Sequence, residues 1–160
     1  MKIICIAGAM SGAGKTALAE TLLGKLDNWA ACKVTTCIGG ATHKCPRGKK
    51  SYGVCSSLKK NYEIEKEEIS SNGKDTQRLL KAGAKAVLWV KTKPEFLKKS
   101  IEVVFKRLRN YKGIIFEGNH ALEVLNPDVA IMIMPKNGKI KKSAKEVMDK
   151  VDIFIKYEKK

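Results

Sequence analysis

Hydrophobic positions along the chain form two kinds of pattern, short apolar runs and helical repeats. Runs of consecutive apolar residues are typical of strands that are buried on both faces. Such runs predict strands at 2–7, 32–38, 85–90, 113–116, 129–134 and 152–157. Helical patterns predict helices at 15–26, 75–82, 94–108 and 143–151. Because strands and helices alternate, the sequence predicts a three-layer α/β fold, with helices on both faces of a mostly parallel sheet.

Two stretches interrupt this alternation. A long irregular segment at about 39–60 contains Gly, Pro, His and Cys, and loops of this length inside a compact domain are usually functional. Several Glu residues at 63–68 predict a solvated face. The length of 160 residues indicates one domain over 1–160, with the segment at about 39–60 as an insertion loop.

A glycine-rich turn separates the first strand from the first helix. Residues 9–16, Ala-Met-Ser-Gly-Ala-Gly-Lys-Thr, match a phosphate-binding loop, with Ala where the first Gly usually stands. In such a loop, backbone N–H groups curl around the phosphates, and the helix that follows points its N-terminus at them. The residues predicted to bind the nucleotide are Ala9, Ser11, Gly12, Ala13, Gly14, Lys15, Thr16 and Ala17.

Two side chains of this loop carry specific chemical roles. Lys15 would reach the β- and γ-phosphates, and the Thr16 hydroxyl would ligate Mg²⁺. The sequence therefore predicts a nucleoside triphosphate with Mg²⁺ as the ligand, and it leaves the choice between GTP and ATP open. A dinucleotide-binding fingerprint also matches the loop. That fold requires an acidic residue at the end of the second strand, where this chain has Cys37.

Two acidic residues are candidates for the catalytic side of the site. Glu117 follows the apolar run at 113–116, and the carboxyl end of such a strand opens onto the ligand crevice. We predict that Glu117 lies beside Mg²⁺ with Thr16; the alternative is an ordinary acid at a strand end. Asp75 begins a predicted helix, so it either caps that helix or contacts Mg²⁺ through water. The predicted catalytic residues are Lys15, Asp75 and Glu117.

Composition narrows the class of protein. The net charge is +16, from 32 basic and 16 acidic residues, and the excess is mostly Lys. This charge attracts phosphates, but aromatic residues do not interleave with the basic runs, so a nucleic-acid partner is disfavoured. No apolar run approaches the length of a membrane span, and the first residues do not form a secretory signal. We therefore expect a cytoplasmic protein without a membrane partner.

Several short motifs occur in a fixed order along the chain. They are the loop at 8–16, a Gly-Lys-Asp-Thr-x-Arg segment at 73–78, Ala-Gly-Ala at 82–84 and the Glu-Gly pair at 117–118. Together they resemble the molybdopterin-guanine dinucleotide biosynthesis protein B family. The resemblance implies a small P-loop protein that binds GTP, hydrolyses it weakly and assists the attachment of a guanine nucleotide to molybdopterin.

The resemblance also implies partners and residue roles. It implies a cofactor-biosynthesis enzyme as a partner and, because members of the family are often dimeric, a homodimer. It places Asp75 and Glu117 by the metal and the attacking water. It places Arg78 near the phosphates or a neighbouring subunit.

A group of thiols with one imidazole lies at and after the second predicted strand. Its members are Cys37, His43, Cys45 and Cys55. Thiolate and imidazole ligands suit Zn²⁺ or an iron–sulfur cluster. The alternative is a set of small buried thiols with a surface His. An odd total of five Cys argues against a disulfide framework.

Two other functions would use the same phosphate loop. A small-molecule or nucleotide kinase needs a catalytic base and usually an Arg-rich lid, and this chain has few Arg residues. A metal-carrying or iron–sulfur module would use the nucleotide as a regulator. The sequence favours a slow nucleoside triphosphatase that assists cofactor biosynthesis.

Overall fold

The computed structural model of the 160-residue chain describes residues 1–37, 58–68 and 75–158. The strands are β1 (Lys2–Gly8), β2 (Trp29–Thr36), β3 (Tyr62–Lys66), β4 (Val87–Thr92), β5 (Gly113–Glu117), β6 (Val129–Pro135) and β7 (Ile153–Tyr157). The helices are α1 (Lys15–Leu23), α2 (Asp75–Lys81), α3 (Leu97–Leu108), α4 (Ala121–Val124) and α5 (Lys142–Lys145). Among the helices of the described residues, none is long and apolar enough to cross a membrane. The insertion loop predicted at about 39–60 lies mostly outside these residues, and the extent of the domain stays a prediction.

The strands of the described residues form one sheet, in the order β3-β4-β2-β5-β1-β6-β7. β3 runs antiparallel to β4, and every other neighbouring pair is parallel. β1 therefore lies between β5 and β6, which are far from it in the sequence. The carboxyl ends of β1, β2 and β5 meet at one edge of the sheet, where open α/β sheets bind ligands.

Helices cover both faces of this sheet. α1 and α2 pack on one face, where Leu23 and Leu79 share a buried cluster with Ile115 of β5. α3, α4 and α5 pack on the other face, where Val104 shares a second cluster with Phe116. The predicted three-layer α/β fold with a mostly parallel sheet is confirmed.

The acidic stretch predicted as a solvated face at 63–68 contains a strand. Ile64 of β3 packs against the core, and Glu65 accepts a hydrogen bond from Lys91 of β4 at 2.6 Å. An edge strand pairs on one side only and tolerates charged side chains, so an apolar run does not reveal it. The segment is a strand because it pairs with β4, and this pairing cannot be predicted from the residues of the segment alone.

The helix predicted at 143–151 is wrong in length. α5 ends at Lys145, and a single 3-10 turn at Met148–Lys150 follows. Val147, between the two, has φ of −125° and ψ of 8°, outside the helical region, and it is fully buried. The apolar spacing therefore reflects burial of a broken helix, because tertiary packing overrides local propensity here.

Candidate functional site

The glycine-rich segment forms the turn between β1 and α1. Gly14 is the N-cap of α1, with φ of 92° and ψ of 16°, a left-handed conformation that favours glycine. A Cβ added at Gly14 would meet nothing within 4 Å, so the loop is open on this side. Ser11 is exposed, whereas Ala13 is buried in the core beneath α1. Open backbone at the start of a nine-residue helix forms a cradle that suits phosphate groups.

Hydrogen bonds hold the beginning of this loop in place. The Ala9 N–H donates to the Ile133 carbonyl at 2.8 Å, and the Lys141 N–H donates to the Ala9 carbonyl at 2.9 Å. The Asn119 side chain accepts from the Gly8 N–H at 2.9 Å and donates to the Gly8 carbonyl at 3.1 Å. Ala9 is one of the predicted nucleotide-binding residues. Its N–H is hydrogen-bonded to another strand of the protein, so it holds the start of the loop in place.

Thr16 and Glu117 meet at the base of the loop. Thr16, on the first turn of α1, is 8% exposed, and Glu117, at the end of β5, is 5% exposed. The Thr16 hydroxyl donates to a Glu117 carboxylate oxygen at 3.0 Å. Mg²⁺ prefers oxygen ligands, and a hydroxyl and a carboxylate are preassembled here beside the phosphate cradle. The donor set at this position therefore fits a magnesium ion.

Lys15 crosses the start of the loop. A Cβ added at Gly8 would lie 3.1 Å from Cγ of Lys15, so the stem of Lys15 packs closely over Gly8. Lys15 and Glu117 line the same cavity, which has a volume of about 180 Å³. Lys15 is therefore a basic residue of this cavity, next to the open glycine-rich loop.

The cavity gathers side chains from distant parts of the sequence. Its lining comprises Ser11, Gly12, Lys15, Lys33, Val34, Thr35, Asp75, Glu117, Gly118, Asn119, His120, Lys141 and Ser143. The predicted residues Ser11, Gly12, Lys15, Asp75 and Glu117 are thus brought to one site. The other lining residues were not predicted from the sequence; among them, Lys33, Asn119 and His120 have defined partners.

Lys33 is a cation of the site that forms an ion pair with Asp75. It lies on β2 directly beside Glu117 of β5, and its Nζ is 2.5 Å from an Asp75 carboxylate oxygen. Burial raises the pKa of Asp75, but the hydrogen bond and charge of Lys33, with two weaker cationic neighbours, hold that pKa below its ordinary value. Asp75 is therefore a carboxylate at neutral pH, held at the cavity by Lys33.

His120 faces the cavity from the segment that follows β5. Its side chain is 13% exposed, and its Nδ1 lies 2.5 Å from Oε1 of Glu123 on α4. A carboxylate at this distance orients the imidazole and fixes which ring nitrogen carries a proton. His120 is therefore an imidazole that lines this cavity and is oriented by Glu123.

Arg78 and Ala17 are among the predicted binding residues that do not line the cavity. Arg78 of α2 forms a bidentate ion pair with Glu20 of α1, at 2.8 Å from Nε and 2.6 Å from Nη2. Its Nη1 is 4.0 Å from Asp75, which links this pair to the site. Ala17 is exposed on α1. The nucleotide contacts predicted for Arg78 and Ala17 stay predictions.

The predicted cluster of thiols and imidazole can be placed only at its first member. Cys37 follows β2 and is 4% exposed, and its N–H donates to the Thr92 carbonyl at 2.8 Å. His43, Cys45 and Cys55 lie outside the described residues. Within 1–37, 58–68 and 75–158, no group of three or more His, Cys, Asp or Glu side chains is arranged to hold a metal ion. A Zn²⁺ or iron–sulfur site stays a prediction.

Comparisons with known proteins address the fold. No protein-family sequence model and no curated protein sequence matches the chain. Among solved structures, the chain is similar to the kinase domain of Escherichia coli tyrosine kinase ETK, with a TM-score of 0.49 and 14% sequence identity. The match covers 98% of this chain and 67% of that one. A similarity at this level concerns the path of the backbone only and gives no information about activity.

Proposed function

We propose that this protein binds a nucleoside triphosphate with Mg²⁺ at the phosphate loop and hydrolyses it slowly. The observation that carries the proposal is the buried hydrogen bond between Thr16 and Glu117, at 3.0 Å, beneath an open glycine-rich loop. A buried carboxylate is costly unless a partner or a cation compensates it. A cation site next to the phosphate loop would explain why the Thr16 hydroxyl and the Glu117 carboxylate are buried together.

Each residue of the site has a distinct task in this proposal. Lys15 binds the β- and γ-phosphates, and Thr16 and Glu117 hold the metal ion. When bound, Mg²⁺ offsets the negative charge of the phosphate groups. Asp75, kept ionised by Lys33, would accept a hydrogen bond from the attacking water. Since the phosphates and the water share one small cavity, the protein contributes mainly by positioning and by charge.

A role in cofactor biosynthesis rests on the sequence resemblance. The motifs shared with the molybdopterin-guanine dinucleotide biosynthesis protein B family support GTP as the nucleotide, with ATP as the alternative. They also support an enzyme that attaches a nucleotide to a cofactor as the partner. Within this role, slow hydrolysis would time the encounter with that enzyme.

The experiment compares two site variants with matched surface controls. For Lys15→Ala, calorimetry with GTP and ATP analogues is expected to give about a hundredfold weaker binding, because a charge-assisted phosphate contact is lost. Glu117→Gln is expected to lower Mg²⁺-dependent turnover on the order of a hundredfold, with a smaller effect on affinity. The controls Lys25→Ala and Glu102→Gln change exposed residues of the same charge. Equal affinity for Lys15→Ala and Lys25→Ala would contradict the proposal.

A second candidate function is phosphoryl transfer to a small acceptor. The observation in its favour is His120, which lines the cavity and is oriented by Glu123, as a base for an acceptor hydroxyl would be. If the protein is a slow triphosphatase, the rate of phosphate release is the same with and without nucleosides or sugars. Diphosphate formation that accelerates with such an acceptor, and is lost in His120→Asn, would favour the kinase.

A further inference from the structure

One pair of side chains at the cavity has no task in direct hydrolysis by water. His120 lines the cavity, and its Nδ1 lies 2.5 Å from Oε1 of Glu123, which is not among the lining residues. An ionised carboxylate only accepts hydrogen bonds, so this contact requires the hydrogen on Nδ1 and leaves the lone pair of the singly protonated ring on Nε2. Since Glu123 occupies Nδ1 from outside the lining, Nε2 is the ring nitrogen left for a ligand in the cavity.

The backbone fixes the position of this pair at the end of β5. Gly118 has φ of 144°, and a Cβ at this position would lie 2.7 Å from the Val34 carbonyl oxygen, so the chain needs glycine to turn here against β2. Beyond the turn, the Glu123 N–H donates to the His120 carbonyl at 3.1 Å, and Nζ of Lys150 donates to the Glu123 carbonyl at 3.3 Å. His120 and Glu123 are therefore oriented before any ligand binds, as a reactive group requires.

Cationic side chains line the same space. Lys15, Lys33 and Lys141 are in the lining together with His120. Cations placed where charge develops stabilise a transferring phosphoryl group, and they reduce the repulsion between the phosphate oxygens and an approaching nucleophile. Because Gly12 of the phosphate loop lines this cavity too, a γ-phosphate bound at the loop would lie in the same space as the imidazole.

The volume of the cavity separates two roles for this imidazole. As a base, His120 would need an acceptor hydroxyl between its ring and the phosphate, and that acceptor would need space of its own. Pockets for small organic ligands have volumes of roughly 300–1,000 Å³, whereas this cavity has about 180 Å³. A phosphoryl group fits this space, whereas a second organic substrate beside it would exceed the volume. The geometry therefore favours the imidazole itself as the acceptor.

We propose that His120 is a catalytic residue whose Nε2 is phosphorylated by the γ-phosphate of the bound triphosphate. The Nε2 lone pair attacks the γ-phosphorus, the bond from this phosphorus to the oxygen that bridges to the β-phosphate breaks, and the nucleoside diphosphate leaves with that electron pair. The Nδ1 hydrogen stays in its bond to Glu123, whose negative charge stabilises the positive ring that forms.

The phosphorylated imidazole is then returned by water. Water attacks the phosphorus, the P–N bond breaks with its electron pair returning to Nε2, and a proton of the water passes to solvent. The net reaction is the slow hydrolysis proposed above, so the inference rests on that function and adds the atom that receives the phosphoryl group. Glu123 is a positioning residue in this scheme, because it acts through His120.

The first test looks for the phosphoryl group on the protein. The full chain, in excess over GTP or ATP with Mg²⁺, is quenched rapidly in base, which preserves phosphohistidine, and its intact mass is measured. The mass is expected to increase by one phosphoryl group, which peptide mass spectrometry locates at His120 and which acid removes. His120→Asn is expected to lose this increase. A phosphoryl group on another residue, such as His43, or an increase that persists in His120→Asn, overturns the proposal.

The positioning role of Glu123 has its own readout. Glu123→Gln removes the charge beside Nδ1, so the phosphorylated protein is expected to form about tenfold more slowly, with unchanged affinity for a non-hydrolysable analogue. Glu102→Gln, a change of an exposed Glu on α3, is the matched control. Equal rates of phosphorylation in the two variants would remove Glu123 from the scheme.

The second test reads the configuration at phosphorus, and it decides the question even when the phosphorylated protein is short-lived. A triphosphate whose γ-thiophosphate is made chiral with oxygen isotopes is hydrolysed by wild type. Two successive displacements, at His120 and then at water, retain the configuration, whereas a direct attack by water inverts it. Retention is the expected result, and inversion overturns the proposal. Calorimetry with non-hydrolysable GTP and ATP analogues keeps the two proposals apart: binding together with inversion rejects only the role of His120, and no binding of either analogue rejects both.

Discussion

Asn119 is expected to be the residue that fixes the phosphate loop to the sheet, and its removal tests this directly. The side chain is 4% exposed and forms two hydrogen bonds with the backbone of Gly8, at 2.9 and 3.1 Å. Its amide group supplies the donor and the acceptor that a neighbouring strand would supply, at the point where β1 ends and the loop begins. In Asn119→Ala both bonds are lost, and the N–H and C=O groups of Gly8 lose their side-chain partner within a buried region.

The size of the effect follows from these two contacts. Leaving a buried backbone group without a partner costs about 1–3 kcal/mol, and two groups are affected. We therefore expect the free energy of unfolding to fall by about 2–6 kcal/mol, a large share of the roughly 5–15 kcal/mol typical of a domain. Asn119→Asp keeps an acceptor for the Gly8 N–H but turns a second oxygen toward the buried Gly8 carbonyl, so it is also expected to be less stable than the wild type.

Urea denaturation followed by circular dichroism measures this difference from the midpoint and slope of unfolding. The control is Asn126→Ala, because Asn126 is an exposed residue that follows α4 closely, as Asn119 precedes it. In conditions where Asn119→Ala is folded, its affinity for a triphosphate is expected to be lower than that of Asn126→Ala. A change in stability under about 1 kcal/mol together with unaltered affinity would refute the anchoring role.

Two further predictions concern ionisable groups. Lys33→Met is expected to raise the pKa of Asp75, because it removes the hydrogen bond and the charge that hold this pKa down. The acid limb of the pH profile of hydrolysis should therefore move to higher pH. If that limb does not move, Asp75 does not control the rate of hydrolysis. Burial raises the pKa of Cys5 to about 12 and also raises that of Cys32, so both thiols are expected to resist alkylation at pH 8 in the native protein and to react after unfolding, as peptide mass spectrometry can measure.

The fold and the glycine-rich turn between β1 and α1 were predictable because their signals are local. A strand such as β5 is buried along its whole length, and its apolar run shows this directly. The loop combines glycines with Lys15 and Thr16 in consecutive positions, so no distant contact is needed to recognise it. Glu117 was predictable for the same reason, since it ends an apolar run and the ends of parallel strands form the ligand edge.

The rest of the site depends on contacts between distant segments. Asn119 bonds to Gly8 across more than a hundred residues of sequence, and nothing near Asn119 predicts that partner. β3 is a strand because it pairs with β4, although its own residues are mostly charged. A weaker signal did exist for Lys33, which is the charged residue within the otherwise uncharged strand Trp29–Thr36. A charge in a buried strand requires compensation, and this could have indicated an acidic partner.

The position of Lys33 connects the sheet to the chemistry of the site. Asp75 and Glu117 face one cavity, and two carboxylates that share a small site repel each other. Lys33 lies beside Glu117 in the sheet and bonds to Asp75 through its Nζ, so its charge belongs to the same cavity as both acids. This arrangement lets both acidic side chains remain at the cavity before a triphosphate or a metal ion binds. The strand order β2-β5-β1 is what makes it possible, because it places the end of β5 between Lys33 and the phosphate loop.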